Sequence, residues 1–185
     1  MAALAASLAL LTGCGDGGDE PEADPTPIIP SSSPAEPSPS ESEAAEEEPP
    51  EMPNAAREES TAGAEAFIEH WTAAFNFATV TGDTASFDDL AADSCRACVN
   101  ISSSLRDLYD RGGRIESAGW TVKQIGFASE DTADMPAVRF DRAKERVFRT
   151  EDAKPQVYRP EDMTYTFQLE YASTGWRVSE LTEAS

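Results

Sequence analysis

The stretch Met163-Thr164-Tyr165-Thr166-Phe167-Gln168-Leu169-Glu170-Tyr171 alternates apolar and polar residues without a break. A period of two places the apolar set on one face of an extended chain, so the stretch predicts a half-buried antiparallel strand. Ser173-Thr174-Gly175 then reads as a hairpin turn into Trp176-Arg177-Val178. Upstream, Trp120 and Val122 share one parity while Ile125 and Phe127 take the other, which predicts a bulge and a bent strand. Val138 and Phe140, followed by Ala143 and Val147, slip in a similar way.

Ahead of the strands the apolar period is helical. Ala64, Phe67, Ile68, Trp71, Phe75 and Ala78 follow the i, i+3, i+4, i+7 spacing of one buried stripe, with Ser60 or Thr61 as the cap. Thr81-Gly82-Asp83 ends this helix, and Asp83 starts a short one around Phe87 and Leu90. A third helix begins near Cys95, places Cys98, Ile101, Leu105, Leu108 and Tyr109 on one face, and stops at Gly112-Gly113. Helices first and bent antiparallel strands afterwards imply an α+β domain. Its expected form is three N-terminal helices packed against one strongly curved, cone-like antiparallel sheet, over residues 61–185.

The run Phe67-x3-Trp71-x4-Asn76, with Thr81-Gly82-Asp83, Cys95-x2-Cys98, Gly112-Gly113 and Trp120, resembles a domain of unknown function found in actinobacterial lipoproteins. The resemblance covers roughly residues 62 to 182 and is most specific in the helical half. That family is similar to the nuclear-transport-factor-like and SnoaL-like cone. The resemblance implies a fold and a location, and brings no activity with it.

The N-terminus points the same way. Residues 1–14 form a short apolar run closed by Leu11-Thr12-Gly13-Cys14, which resembles a bacterial lipoprotein signal peptide with its lipobox. The run is shorter than the ~20 residues needed to span a bilayer. In such a signal Cys14 is the lipid attachment site, and two acyl chains give stable anchoring. Residues 15–60 hold ten of the thirteen prolines, fourteen acids against the single Arg57, and no aromatic residue. Such a composition predicts a disordered, self-repelling tether. Its reach lies between ~37 Å as a coil and ~140 Å fully extended. The expected location is the outer face of the cytoplasmic membrane, with the domain held to it through lipid. A net charge of −21 argues against nucleic acid as a partner.

With Cys14 assigned to lipid, Cys95 and Cys98 remain as a pair, for which a structural disulfide is the default outside the cytoplasm. A redox-active Cys-x-x-Cys is the sharper alternative, but such sites follow a strand, and here a helix precedes. Two cysteines alone lack the further ligands a closed zinc site needs, so no metal and no cofactor is expected. His70 is the only histidine and sits at the flank of the buried stripe. It reads either as a pocket base or, more plainly, as a boundary histidine. With Trp71, Phe75, Tyr109 and Trp120 it makes up the candidate pocket, although aromatics at buried spacing are usually plain core.

Residues 139–149 hold five of the domain's thirteen basic side chains. They read as an anion-binding stripe or as a solvated face with paired charges. No phosphate loop, nucleophile elbow or metal triad is present. The expectation is therefore a non-enzymatic binding or interaction module with a protein or small-molecule partner, the sheet offering a face for a homodimer. The alternative is a SnoaL-like pocket enzyme acting on a small hydrophobic or cyclic molecule, with His70 as base.

Overall fold

The computed structural model describes residues 48–129 and 133–184. The lipobox, Cys14 and the tether as far as residue 47 lie outside the described residues. Helix α1 (Thr61–Thr81) starts where Ser60 Oγ accepts the Gly63 N–H at 3.0 Å, and ends at Gly82 in the left-handed conformation. Helix α2 (Ala85–Asp88) buries Phe87, and Asp83 Oδ1 accepts the Ala85 N–H at 3.0 Å. Helix α3 (Arg96–Tyr109) is capped by Cys95, whose sulfur accepts the Cys98 N–H and is bonded to Cys98 Sγ. This bond is the expected disulfide.

Among the described residues seven strands follow: β1 (Arg114–Ser117), β2 (Trp120–Gly126), β3 (Ala137–Arg142), β4 (Glu145–Phe148), β5 (Gln156–Tyr158), β6 (Glu161–Ala172) and β7 (Gly175–Glu183). The single sheet expected from the sequence is instead two antiparallel sheets, ordered β1-β4-β5 and β2-β3-β6-β7. Both are made largely from the same three chain segments. β1 runs into β2, β3 into β4 and β5 into β6, each across a two-residue break at 118–119, 143–144 and 159–160. The breaks line up, because Ser117 pairs with Glu145, Trp120 with Arg142, Arg142 with Glu161 and Glu145 with Tyr158. The Ala143 N–H donates to the Gly119 carbonyl at 3.1 Å and ties two of the breaks together. The slip read at Val138 to Val147 is this crease.

The parity switch in β2 is a register shift between Val122 and Gln124. A second shift, between Gln168 and Leu169, interrupts the β6–β7 ladder within the strictly alternating run. Along that run Phe167 and Leu169 are buried, whereas Tyr171 at its end is exposed.

The core lies between the helices and the four-stranded sheet. Its largest fully buried side chains are Trp71, Phe67, Phe87, Phe140 and Phe167. Burying each such side chain contributes about 2 kcal/mol relative to leaving it in water.

The folded unit begins ahead of residue 61, which corrects the tether's expected end. Asn54–Arg57 form a 3-10 turn in which Ala56 is buried in the core cluster. The Glu58 carbonyl accepts the indole N–H of Trp176, and the Arg57 carbonyl accepts the hydroxyl of Tyr171, both at 2.8 Å. Residues 51–60 thus form a strap across the start of α1 and the β6–β7 hairpin.

Candidate functional site

Trp71 and Phe75 stand one turn apart on α1 with their rings parallel, centroids 5.6 Å apart. Below them the sheet presents Trp120 from β2, Phe140 from β3, Tyr165 and Phe167 from β6, and Leu181 from β7. Tyr165 and Phe167 are two residues apart and share a face, and Leu181 pairs directly with Phe167. These side chains and Ile101 of α3 line a cavity of about 240 Å³. Its rings meet at the offset and edge-on geometries that ring quadrupoles favour. Phe75 and Trp120 centroids are 4.9 Å apart, Trp71 and Phe167 5.0 Å, and Trp120 and Tyr165 5.7 Å.

The lining holds three groups able to hydrogen-bond, with different environments. The Trp120 indole N–H donates to Glu145 Oε1 at 3.2 Å. The Tyr165 phenol is pushed above its ordinary range, first by burial and then by Glu183 and Glu161, with Arg142 opposing. The Trp71 indole N–H has no acceptor among the described residues, and the residue is only 1% exposed. A buried donor left without a partner costs about 1–3 kcal/mol. Beside Tyr165, Arg142 is bound to Glu161 at 2.6 Å.

Of the five predicted pocket residues, Trp71, Phe75 and Trp120 come together here and two do not. His70 is buried but outside the lining. Burial and, secondarily, the Arg57 charge hold its pKa below the ordinary value. Tyr109 is a structural clasp: its hydroxyl donates to the Thr79 carbonyl at 2.8 Å and accepts the Ile115 N–H at 3.3 Å. Phe140, Tyr165, Phe167, Ile101 and Leu181 were missing from the expected pocket, although the alternation of β6 had marked Tyr165 and Phe167 as inward-facing.

The basic run 139–149 does not form one stripe, because the crease divides it between two sheets. Arg142 pairs with Glu161, Arg146 with Glu116, and Arg149 donates to Gln156 Oε1. The guanidinium groups of Arg114 and Arg146 lie over the Phe148 ring. For Arg142 and Arg146 this is the paired-charge reading. Among the described residues, no cluster of three or more acidic, histidine or cysteine side chains is placed to hold a metal ion. Nor is any described helix long and apolar enough to cross a membrane.

Solved structures with a similar fold share little sequence. The intermembrane-space region of the chloroplast protein ARC6 superposes with a TM-score of 0.47 at 12% identity, covering 69% of this chain and 98% of that one. A domain of unknown function with a cystatin-like fold from Nostoc punctiforme gives 0.44 at 14%, covering 66% and 76%. An NTF2-like protein with a cystatin-like fold from Novosphingobium aromaticivorans gives 0.39 at 16%, covering 66% and 81%. No curated protein matches in sequence. Residues 36–182 match the model of a family of unknown function, DUF6318.

Proposed function

This chain belongs to the DUF6318 family, and from that premise we propose a lipid-anchored binding module that shelters a small apolar ligand without transforming it. Cys14 carries the lipid, residues 15–47 lead from the outer face of the cytoplasmic membrane, and the domain from residue 48 onward holds the ligand. The observation that carries this reading is the composition of the cavity wall. Eight apolar and aromatic side chains enclose about 240 Å³, with no carboxylate, histidine, cysteine or amine among them. Apolar walls with few polar groups suit binding. Proton transfer would need a titratable group within reach of the ligand. The only one lining the cavity is Tyr165, whose phenol is held in its neutral form. A pocket enzyme that uses His70 as base loses support, since His70 lies outside the lining.

The anchor reading rests on Leu11-Thr12-Gly13-Cys14. It is tested by metabolic labelling of the full chain with a clickable fatty acid, where Cys14→Ala is expected to abolish the label. For the cavity, the full chain is taken from native membranes and examined by native mass spectrometry without a delipidating step. A small extra mass released by unfolding is expected for the wild type and not for Ile101→Trp, which fills the cavity. Retention of that mass by the filled variant would place the ligand elsewhere.

A further inference from the structure

The cavity is not walled evenly. Trp71, Phe140 and Phe167 are almost wholly buried and make its floor, whereas Trp120 and Tyr165 are only partly buried and stand at its solvent-facing end. These two rings stack on one another, and each has a carboxylate beside it. Glu145 Oε1 accepts the Trp120 indole N–H at 3.2 Å. Glu183 is the direct cross-strand partner of Tyr165, so it shares the cavity-facing side of the sheet, and its charge hinders ionisation of the phenol. Arg142 and Glu161 pair directly and lie on the same face, two and four residues along the strands from Phe140 and Tyr165. Arg142 is held by Glu161, whereas Glu145 and Glu183 have no cation partner among the described residues.

An apolar floor with two unmatched carboxylates at its open end selects by charge. An anionic end group is repelled there and a neutral one gains no Coulomb attraction. A cationic one is attracted, and because this end is partly exposed it keeps part of its hydration and escapes the full cost of burying a charge. We propose that the ligand is an amphipathic amine, its apolar body seated on Trp71, Phe140 and Phe167 and its protonated nitrogen facing Glu145 and Glu183. This deepens, and rests on, the reading of the cavity as a binding site: the rings hold the body and the two carboxylates choose the end group.

The test titrates phenethylamine, phenethyl alcohol and hydrocinnamate into the full chain at neutral pH. They carry a positive, a neutral and a negative end group on one ring and a short stem. Binding is followed by NMR at the ring protons of Trp71 and Phe167, on the cavity floor. The informative quantity is the amine-to-alcohol affinity ratio, which removes differences in ring burial. Glu183→Gln and Glu145→Gln, the latter keeping an acceptor for the Trp120 N–H, are each expected to lower that ratio about two- to five-fold, the effect of one partly exposed ion pair. Added salt lowers it too, and hydrocinnamate binds more tightly to both variants than to the wild type. The acids of residues 15–47 attract any amine, so Ile101→Trp, which fills the cavity, is run alongside. An amine response that survives this filling is surface pairing and overturns the inference. A ratio that neither glutamine variant changes also overturns it, while binding of the alcohol leaves the cavity reading standing. Failure of all three probes to reach Trp71 and Phe167 in the wild type overturns the cavity reading and this inference with it.

Discussion

Asn76 grips the backbone of Trp120 from both sides. Its Nδ2 donates to the Trp120 carbonyl and its Oδ1 accepts the Trp120 N–H, each at 2.8 Å. Trp120 is the first residue of β2 past the crease, so one side chain of α1 satisfies the backbone where a chain segment leaves one sheet for the other. The same grip places the Trp120 ring on the cavity wall.

Asn76→Ala therefore leaves two partly buried backbone groups without partners. The expected loss of stability is about 2 kcal/mol, read as a lower midpoint in urea unfolding. Gly119→Ala acts on the same contact from the other side. Gly119 has φ +86°, and an added Cβ would lie 2.7 Å from the Asn76 side chain. The double variant is expected to lose less than the sum of the two single losses, because each disrupts the same grip. Strict additivity would mean that the two residues act independently.

Gly63 offers a prediction whose sign opposes helix propensity. Alanine in place of a helical glycine ordinarily gains about 1 kcal/mol. Here the new Cβ would fall 2.0 Å from the Glu58 carbonyl oxygen, so the strap must lift. Gly63→Ala is expected to lower the melting temperature and to speed hydrogen exchange at residues 56–60. A raised melting temperature would show that the strap contributes little.

His70 sets a dependence on pH. Its folded pKa lies below the ordinary 6.5, because burial and the Arg57 charge disfavour the imidazolium. The unfolded chain then binds this proton more readily than the folded one, and stability rises with pH across the interval between the two values. The contribution is complete above about pH 6.5 and is lost as pH falls through the folded pKa. Thermal unfolding between pH 7.5 and pH 5 is expected to show this decline, and His70→Gln to flatten it. An equal slope in the variant would assign the decline to carboxylates.

The Cys95–Cys98 bond closes a very short ring at the start of α3. Constraining so short a loop stabilises by about 2 kcal/mol in the chain-entropy account. Reductant is expected to lower the unfolding free energy by that amount, read as a lower urea midpoint at an unchanged denaturant slope. A change in slope would mean that α3 melts locally once the bond opens.

Much of the architecture is legible in residue order because it follows from periodicity. Alternation between Met163 and Tyr171 exposes β6, and the parity switch after Val122 exposes the bulge in β2. The shift at Gln168 does not show, since the alternation runs straight through it. The strap is illegible for another reason. Its attachment relies on the small Ala56 and on the Arg57 and Glu58 carbonyls, groups every residue carries, within a stretch rich in proline and glutamate. His70 reads from the helical wheel as a boundary histidine at the flank of the stripe, which its burial outside the cavity matches, whereas the nearby charge of Arg57 cannot be read from the wheel. The aromatic residues of the cavity carry a buried period whether they pack solid or leave a space. Trp71, Phe75 and Trp120 could thus be named, while the void between them could not.

The strap also decides how the domain meets mechanical load. A pull on the chain ahead of residue 48 would load first Met52 and the buried Ala56, and then Arg57 and Glu58, whose carbonyls are fastened to Tyr171 and Trp176 on the two strands of one hairpin. Two side-chain bonds and the packing of Ala56 hold less than a continuous strand ladder does, so the strap is the first part of the domain to bear such a load. Under such a pull the ten residues from 51 to 60 are expected to lift before the β6–β7 ladder parts.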